Sequence, residues 1–270
     1  MKIRYSPVQR IVIAAMMLAL ATLATIISKM VSIPIFRFAS VSFAPALIMF
    51  SSFALGPLYG AMVGAGADIL GAFIFPTGVY NPIYTVIAAL WGTLPWLLLF
   101  LTKRWRAALR FPVAIYIALV LLLSLLAVGF YATDYFNSMG ENGVWLKPLI
   151  LSVLFVIDVG LCIGLHFTNL HFQKQILDYT DIPSPNEVAL IALTLQVALG
   201  IFATAGALSF YFFVLGSGDY PIGLSFWIIA LLLSALATPN ILVNSALVSW
   251  LLIFVRRFGK MGEIEDKNDE

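Results

Sequence analysis

Long apolar runs divided by short polar breaks fill most of this chain, and a membrane-spanning helix needs about 20 such residues. The first predicted span covers residues 8–30 and ends at Lys29 and the extended Ile33-Pro34-Ile35-Phe36-Arg37. A short second span, 41–55, is separated by Gly56-Pro57 from a third that continues to residue 73. The fourth, fifth, sixth and seventh cover 82–101, 113–130, 148–167 and 188–215. The last apolar stretch, 222–255, is too long for one upright helix and is interrupted by Thr238-Pro239-Asn240. A half-helix or surface segment is therefore expected over 222–237, with the eighth span starting at residue 240.

The breaks have their own character. Phe75-Pro76-Thr77-Gly78-Val79-Tyr80-Asn81-Pro82 divides the third span from the fourth. Thr133-Asp134-Tyr135-Phe136-Asn137-Ser138 and Gly140-Glu141-Asn142-Gly143 form a polar loop. Residues 173–187, with Pro183 and Pro185, make the longest polar linker, and Gly216-Ser217-Gly218-Asp219-Tyr220-Pro221 closes the seventh span. Residues 263–270 read as a charged, disordered tail.

Composition removes the soluble classes. The chain of 270 residues is 62% hydrophobic and 10% charged, against about 25% charged for an ordinary soluble domain. One cysteine, Cys162, excludes an internal disulfide and a multi-cysteine metal site. His166 and His171 are five apart rather than the i, i+4 of a zinc-binding helix pair, and are expected near a helix end. Lys2, Arg4 and Arg10 precede the first apolar run as in a signal peptide, but no small-residue cleavage site follows, so a retained first helix is expected. With the N-terminus inside and eight crossings, twelve of the fifteen basic residues fall on the cytoplasmic side, leaving Lys29, Arg37 and Lys147 outside. The positive-inside rule fixes that orientation, with both termini cytoplasmic in a bacterial cell membrane.

Chemistry concentrates between residues 52 and 101. Gly56, Gly60, Gly64 and Asp68 recur every four residues, which places three glycines and a carboxylate on one helix face. In hydrocarbon such glycines let helix backbones approach closely, so Gly56, Gly60 and Gly64 are expected at a helix–helix contact. An aspartate at that depth costs about 2.5–3.5 kcal/mol on insertion scales and needs a role facing protein or water.

These residues resemble a known family. Arg37-Phe38 before Pro45, the run Gly56-Pro57-xx-Gly60-xxx-Gly64-xxx-Asp68-xx-Gly71, and Phe75-Pro76-Thr77-Gly78-x-Tyr80-x-Pro82 are similar to the substrate-binding S components of energy-coupling factor (ECF) vitamin transporters, within them the folate-type branch. The likeness covers roughly residues 33–101. It implies an all-α integral membrane protein, a six-helix bundle that captures a water-soluble vitamin from outside. The partners it implies are a transmembrane coupling protein and two ATPase subunits, besides the lipid bilayer; no nucleic acid, cofactor, metal or catalytic residue is implied. The absence of a Gly-rich P-loop agrees with ATP hydrolysis by separate subunits. In the family, small residues of the first helix contact the coupling protein, which here points to Ala15, Ala19 and Ala24. The chain exceeds the family's length, so two extra spans, about 110–172, are read as an inserted hairpin, making about eight helices in all. The organisation expected is a core over 1–104, the hairpin over 105–178, the rest of the core over 179–260 and a tail over 261–270. Where the family's last helix is often entered through an arginine, this chain has Thr238-Pro239-Asn240.

The ligand-binding candidates are Arg37, Asp68, Thr77, Tyr80, Asn81 and Tyr84. A guanidinium pairs bidentately with carboxylates such as folate carries, although Arg37 would also serve as an interfacial anchor. Asp68 is open to several readings: a ligand contact, an ion pair with a basic residue such as Arg37, or a helix-packing hydrogen-bond acceptor, and a carboxylate among glycines also commonly organises a loop. Tyr80, Tyr84 and Trp91 are suited to stacking on a flat heterocycle, and also to a membrane interface, which is the reading for Trp91. Thr77 and Asn81 can bond ring edges or simply shape a turn. Asp219 and Tyr220 are weaker candidates. Asp158, mid-span in the hairpin, suits an intramembrane partner, a proton relay or a cation. With Asp68 it also sustains the rival expectation, a stand-alone proton- or sodium-coupled transporter in which the two aspartates are the coupling residues. A lipid-modifying enzyme is disfavoured, because no His/Asp/Glu or Ser/His cluster faces either membrane surface.

Overall fold

Helix starts in this chain are marked by proline and by side chains that close back on the backbone. In the computed structural model, which describes residues 5–30, 42–76, 79–101, 141–176, 183–215 and 238–268, Ser6 and Gln9 form a reciprocal cap. Ser6 N donates to Gln9 Oε1 at 2.9 Å and Gln9 N to Ser6 Oγ at 3.2 Å, which satisfies two first-turn amides at once. Helix α1 (Pro7–Met30) starts there. Helix α6 (Pro185–Leu215) starts the same way: Ser184 N donates to Glu187 Oε2 at 2.6 Å and Glu187 N to Ser184 Oγ at 3.2 Å. In both, proline occupies the first helical position, where its missing N–H is no loss.

Between them lie α2 (Ala44–Leu55), α3 (Pro57–Ile74), α4 (Pro82–Leu101) and α5 (Glu141–Ile176), and α7 (Thr238–Asn268) completes the seven described helices. No strand occurs among the described residues. Helices α1, α3 and α4 are long and apolar enough to cross a membrane. Helix α2 and the segments Phe155–His171, Pro185–Gly200 and Asn240–Val255 are shorter apolar stretches.

Three expectations are corrected. Glu141–Gly143, read as loop, are the first residues of α5, and 173–176, read as linker, are its last turn. Residues 185–187 belong to α6 for the capping reason above. The tail is helical through Asn268. The expected fifth span and residues 222–237 lie outside the described residues.

Side-chain and backbone contacts fix how the helices run. Only Gly56 separates α2 from α3, in the left-handed region at φ 104°, where a β-carbon is penalised. The chain reverses there, and a Cβ on Gly60 would sit 2.9 Å from the Cα of Ser52. Along α3 and α4, Gly60 meets Gly92, Gly64 meets Ala88 and Asp68 meets Thr85, so these two helices are antiparallel. Gly66 faces Leu18 and Gly71 faces Thr25, so α1 runs parallel to α3. A small core of Ala21, Ile48, Val63 and Ala67 fills the space between α1, α2 and α3. A larger core joins α2, α4, α6 and α7 through Phe50, Phe53, Ile87, Leu195, Val248 and Leu252, and Leu165 of α5 reaches into it.

Candidate functional site

The helix directions bring five helix ends together. Lys29, at the end of α1, donates to the Gly71 carbonyl in the last turn of α3 at 3.1 Å. Helix α4 begins beside that end of α3. At the start of α2, Ser42 N donates to Asn240 Oδ1 at 3.2 Å, and Asn244 Nδ2 donates to Ser42 O at 2.9 Å, to Asn240 O at 2.8 Å and to Asn240 Oδ1 at 3.0 Å. The ends of α1 and α3 and the starts of α2, α4 and α7 therefore share one face of the bundle. Three helix N-termini converge there, each carrying partial positive charge, while the Lys29 ammonium offsets the negative end of α3.

Asp68 lies on α3 about one turn before Gly71 and is half-buried. Its Oδ2 accepts a 2.6 Å hydrogen bond from Thr85 Oγ1 on α4. The Thr85 hydroxyl lies 2.5 Å from the Tyr80 hydroxyl. Since the single Thr85 proton is directed at the carboxylate, Tyr80 donates to Thr85, and the chain Tyr80–Thr85–Asp68 runs one way. Tyr80 is thereby tied to the body of the bundle, and its ring stacks on Phe73 with centroids 6.2 Å apart at 23°. Both Tyr80 and Tyr84 remain exposed, at 40% and 44%, so their rings are free to meet a planar molecule at this end.

Asn81 is placed differently. It is buried, its Oδ1 accepts from Ile83 N at 3.0 Å, and its carbonyl accepts from Tyr84 N at 3.2 Å. Its side chain caps α4. Trp91 is half-buried and packs against both cores. Arg37, Thr77, Asp219 and Tyr220 lie outside the described residues.

Below the polar face the helices meet backbone to backbone. A Cβ on Gly60 would collide with the Gly92 carbonyl, one on Gly64 with the Ala88 carbonyl, and one on Gly92 with the Gly60 carbonyl. Gly56 differs: no atom lies within 4 Å of where its Cβ would be, so the turn, not packing, demands glycine there. Ala15 and Ala19 lie on an exposed face of α1 with Ile11, Val12, Met16 and Leu23, whereas Ala24 is half-buried.

Sequence reasoning missed Thr85, Gly92, Lys29 and the Asn240–Asn244 pair as parts of this arrangement. Thr85 and Asp68 come together only through the antiparallel pairing of two helices, and Gly92 is a lone glycine whose partner glycines are on α3. The two asparagines carried a signal in their i, i+4 spacing at the start of an apolar run.

No protein-family model matches this chain, and no curated protein or solved structure matches it either.

Proposed function

We propose that this protein is the substrate-binding subunit of an ECF-type vitamin transporter. In this reading it captures a water-soluble vitamin of the folate type at the outer face of a bacterial membrane, in a bundle of about eight spans. The observation that carries the reading is the convergence of Tyr80, Thr85, Asp68 and three helix N-termini on one end of a glycine-packed bundle. Helix N-termini favour an anion, as the carboxylates of a folate would supply. Exposed tyrosine rings beside them suit a flat heterocycle. The exposed Ala15–Ala19 face of α1 is suited to a close helix–helix contact with a coupling protein. ATP hydrolysis belongs to partner subunits, and no bond of the ligand is made or broken.

Titration of the purified full chain with folate, read by tryptophan fluorescence, tests this. Saturable one-to-one binding that weakens in Tyr80→Ala supports the site. Absence of saturable binding for folate and for other vitamins rejects the reading.

One observation favours a second reading, a stand-alone proton- or sodium-coupled transporter: Asp158 is only 1% exposed within the apolar part of α5. In that case Asp158→Asn abolishes uptake by the isolated protein in liposomes, and no ATPase partner is needed.

A further inference from the structure

The hydrogen bonds around Tyr80 have a direction, and that direction limits what this side chain can offer a ligand. A carboxylate only accepts, so the Thr85 Oγ1 proton is committed to Asp68 Oδ2 at 2.6 Å. A hydroxyl has one proton, so the 2.5 Å contact between Thr85 and Tyr80 is filled by the Tyr80 proton. An isolated tyrosine hydroxyl turns to donate or accept as its neighbours require. Here a turn of the hydroxyl would break the bond to Thr85. The only donor of the Tyr80 side chain is therefore held inside the protein, and its oxygen is left with acceptor capacity alone.

The ring is held as well as the hydroxyl. It stacks on Phe73 with centroids 6.2 Å apart at 23°. Phe73 is in the last turn of α3 and Thr85 in the first turn of α4, so Tyr80 is anchored to both helices across the break between them. Conjugation keeps the phenolic O–H near the ring plane, which leaves the remaining acceptor position near that plane too. Such an oxygen meets the edge of a flat ligand and not its face. Tyr84, one turn along α4 and 44% exposed, is left to supply a stacking face.

We infer, resting on the reading of this end as a capture site for a flat ligand, that Tyr80 Oη is a fixed hydrogen-bond acceptor for an N–H group on the ligand's edge. Thr85 and Asp68 are positioning residues that hold it in that role. A heteroaromatic amine or a lactam N–H, both of which a pterin carries, satisfies the oxygen. A ring edge with only carbonyl oxygens or unprotonated nitrogens sets acceptor against acceptor. The Asp68 carboxylate acts in the same sense, since a negative charge attracts the positive end of an N–H dipole and repels a carbonyl oxygen. The site thus selects the polarity of the edge as well as the flatness of the ring.

Equilibrium dialysis of the full chain in lipid nanodiscs, with empty nanodiscs as the blank, tests this. The probes are quinoxaline and aminoquinoxaline, one flat bicycle without and with an N–H donor, and folate is measured beside them. The wild type is expected to bind aminoquinoxaline about three- to tenfold more tightly than quinoxaline, the worth of one neutral hydrogen bond. Tyr80→Phe keeps the ring and is expected to bring the two affinities together. Thr85→Val frees the Tyr80 proton to donate to a quinoxaline nitrogen, so the preference should narrow through tighter binding of quinoxaline. If folate does not bind but this pattern holds, the folate assignment fails and the acceptor role of Tyr80 stands. A wild type without the preference, or a preference that persists in full in either variant, overturns the proposal whether or not folate binds.

Discussion

Thr85 on α4 donates its hydroxyl proton to Asp68 on α3 across 2.6 Å, and Tyr80 donates in turn to Thr85. A tyrosine at the end of the bundle is thereby fixed by a carboxylate on a neighbouring helix. The carboxylate bond itself joins two helices, α3 and α4, and it leaves the tyrosine ring exposed beside three helix N-termini.

Thr85→Val keeps the shape and removes the hydroxyl. It is expected to lower unfolding stability in detergent by about 1–2 kcal/mol, since Asp68 loses a charge-assisted partner while keeping partial access to water. Tyr80→Phe alone should cost less. Because both act through one hydroxyl, the double variant should fall short of the sum by about 0.5 kcal/mol or more. Strict additivity in denaturant unfolding would show that the chain of bonds does not act as a unit.

The glycines should separate into three responses to alanine. Gly60→Ala and Gly92→Ala each drive a methyl into the facing carbonyl and should cost about 1–3 kcal/mol or prevent folding. Gly66→Ala meets only the end of the Leu18 side chain, at 2.8 Å, which can rotate away, so its effect should be smaller. Gly56→Ala meets no atom but must adopt φ 104°, which costs roughly 1–2 kcal/mol for a residue with a β-carbon. Thermal unfolding midpoints of the four variants check this order.

Ala15→Leu and Ala19→Leu add bulk to an exposed face of α1. Folding and ligand binding should be unchanged, while ATP-driven uptake in cells with the complete transporter should be lost. Uptake at the wild-type level would remove this face as the site of partner contact.

The asparagine clamp gives a further expectation. Asn240→Ala removes the acceptor for Ser42 N and one of the Asn244 contacts, and should lower stability by about 0.5–1.5 kcal/mol. Asn244 is almost fully buried, so Asn244→Leu should cost more, because it leaves the Ser42 carbonyl without that donor. Denaturant titration of both variants measures the order.

How much of this was legible varies with how local the cause is. The edges of α1, α3 and α4 follow from apolar length and proline, both local, and the sequence reading placed them within a residue or two. The i, i+4 glycines of α3 were visible as a face, but Gly92 could not be assigned to it because antiparallel register is a property of two helices. Gly56 fitted the same spacing and yet falls in the turn, since spacing does not reveal where Pro57 restarts the helix. Thr85 had no signal of its own among apolar neighbours. Helix α5 was underestimated at both ends, because polar residues at its termini extend a helix once its apolar middle is packed.

The central claim, capture of a folate-type vitamin, is tested most directly by mass spectrometry of the small molecules that denaturation releases from protein purified out of its native membrane. A folate in near-stoichiometric amount is expected. Another vitamin in that amount would contradict the assignment of folate. A preparation that releases no vitamin, and takes up none when vitamins are supplied, would contradict capture itself.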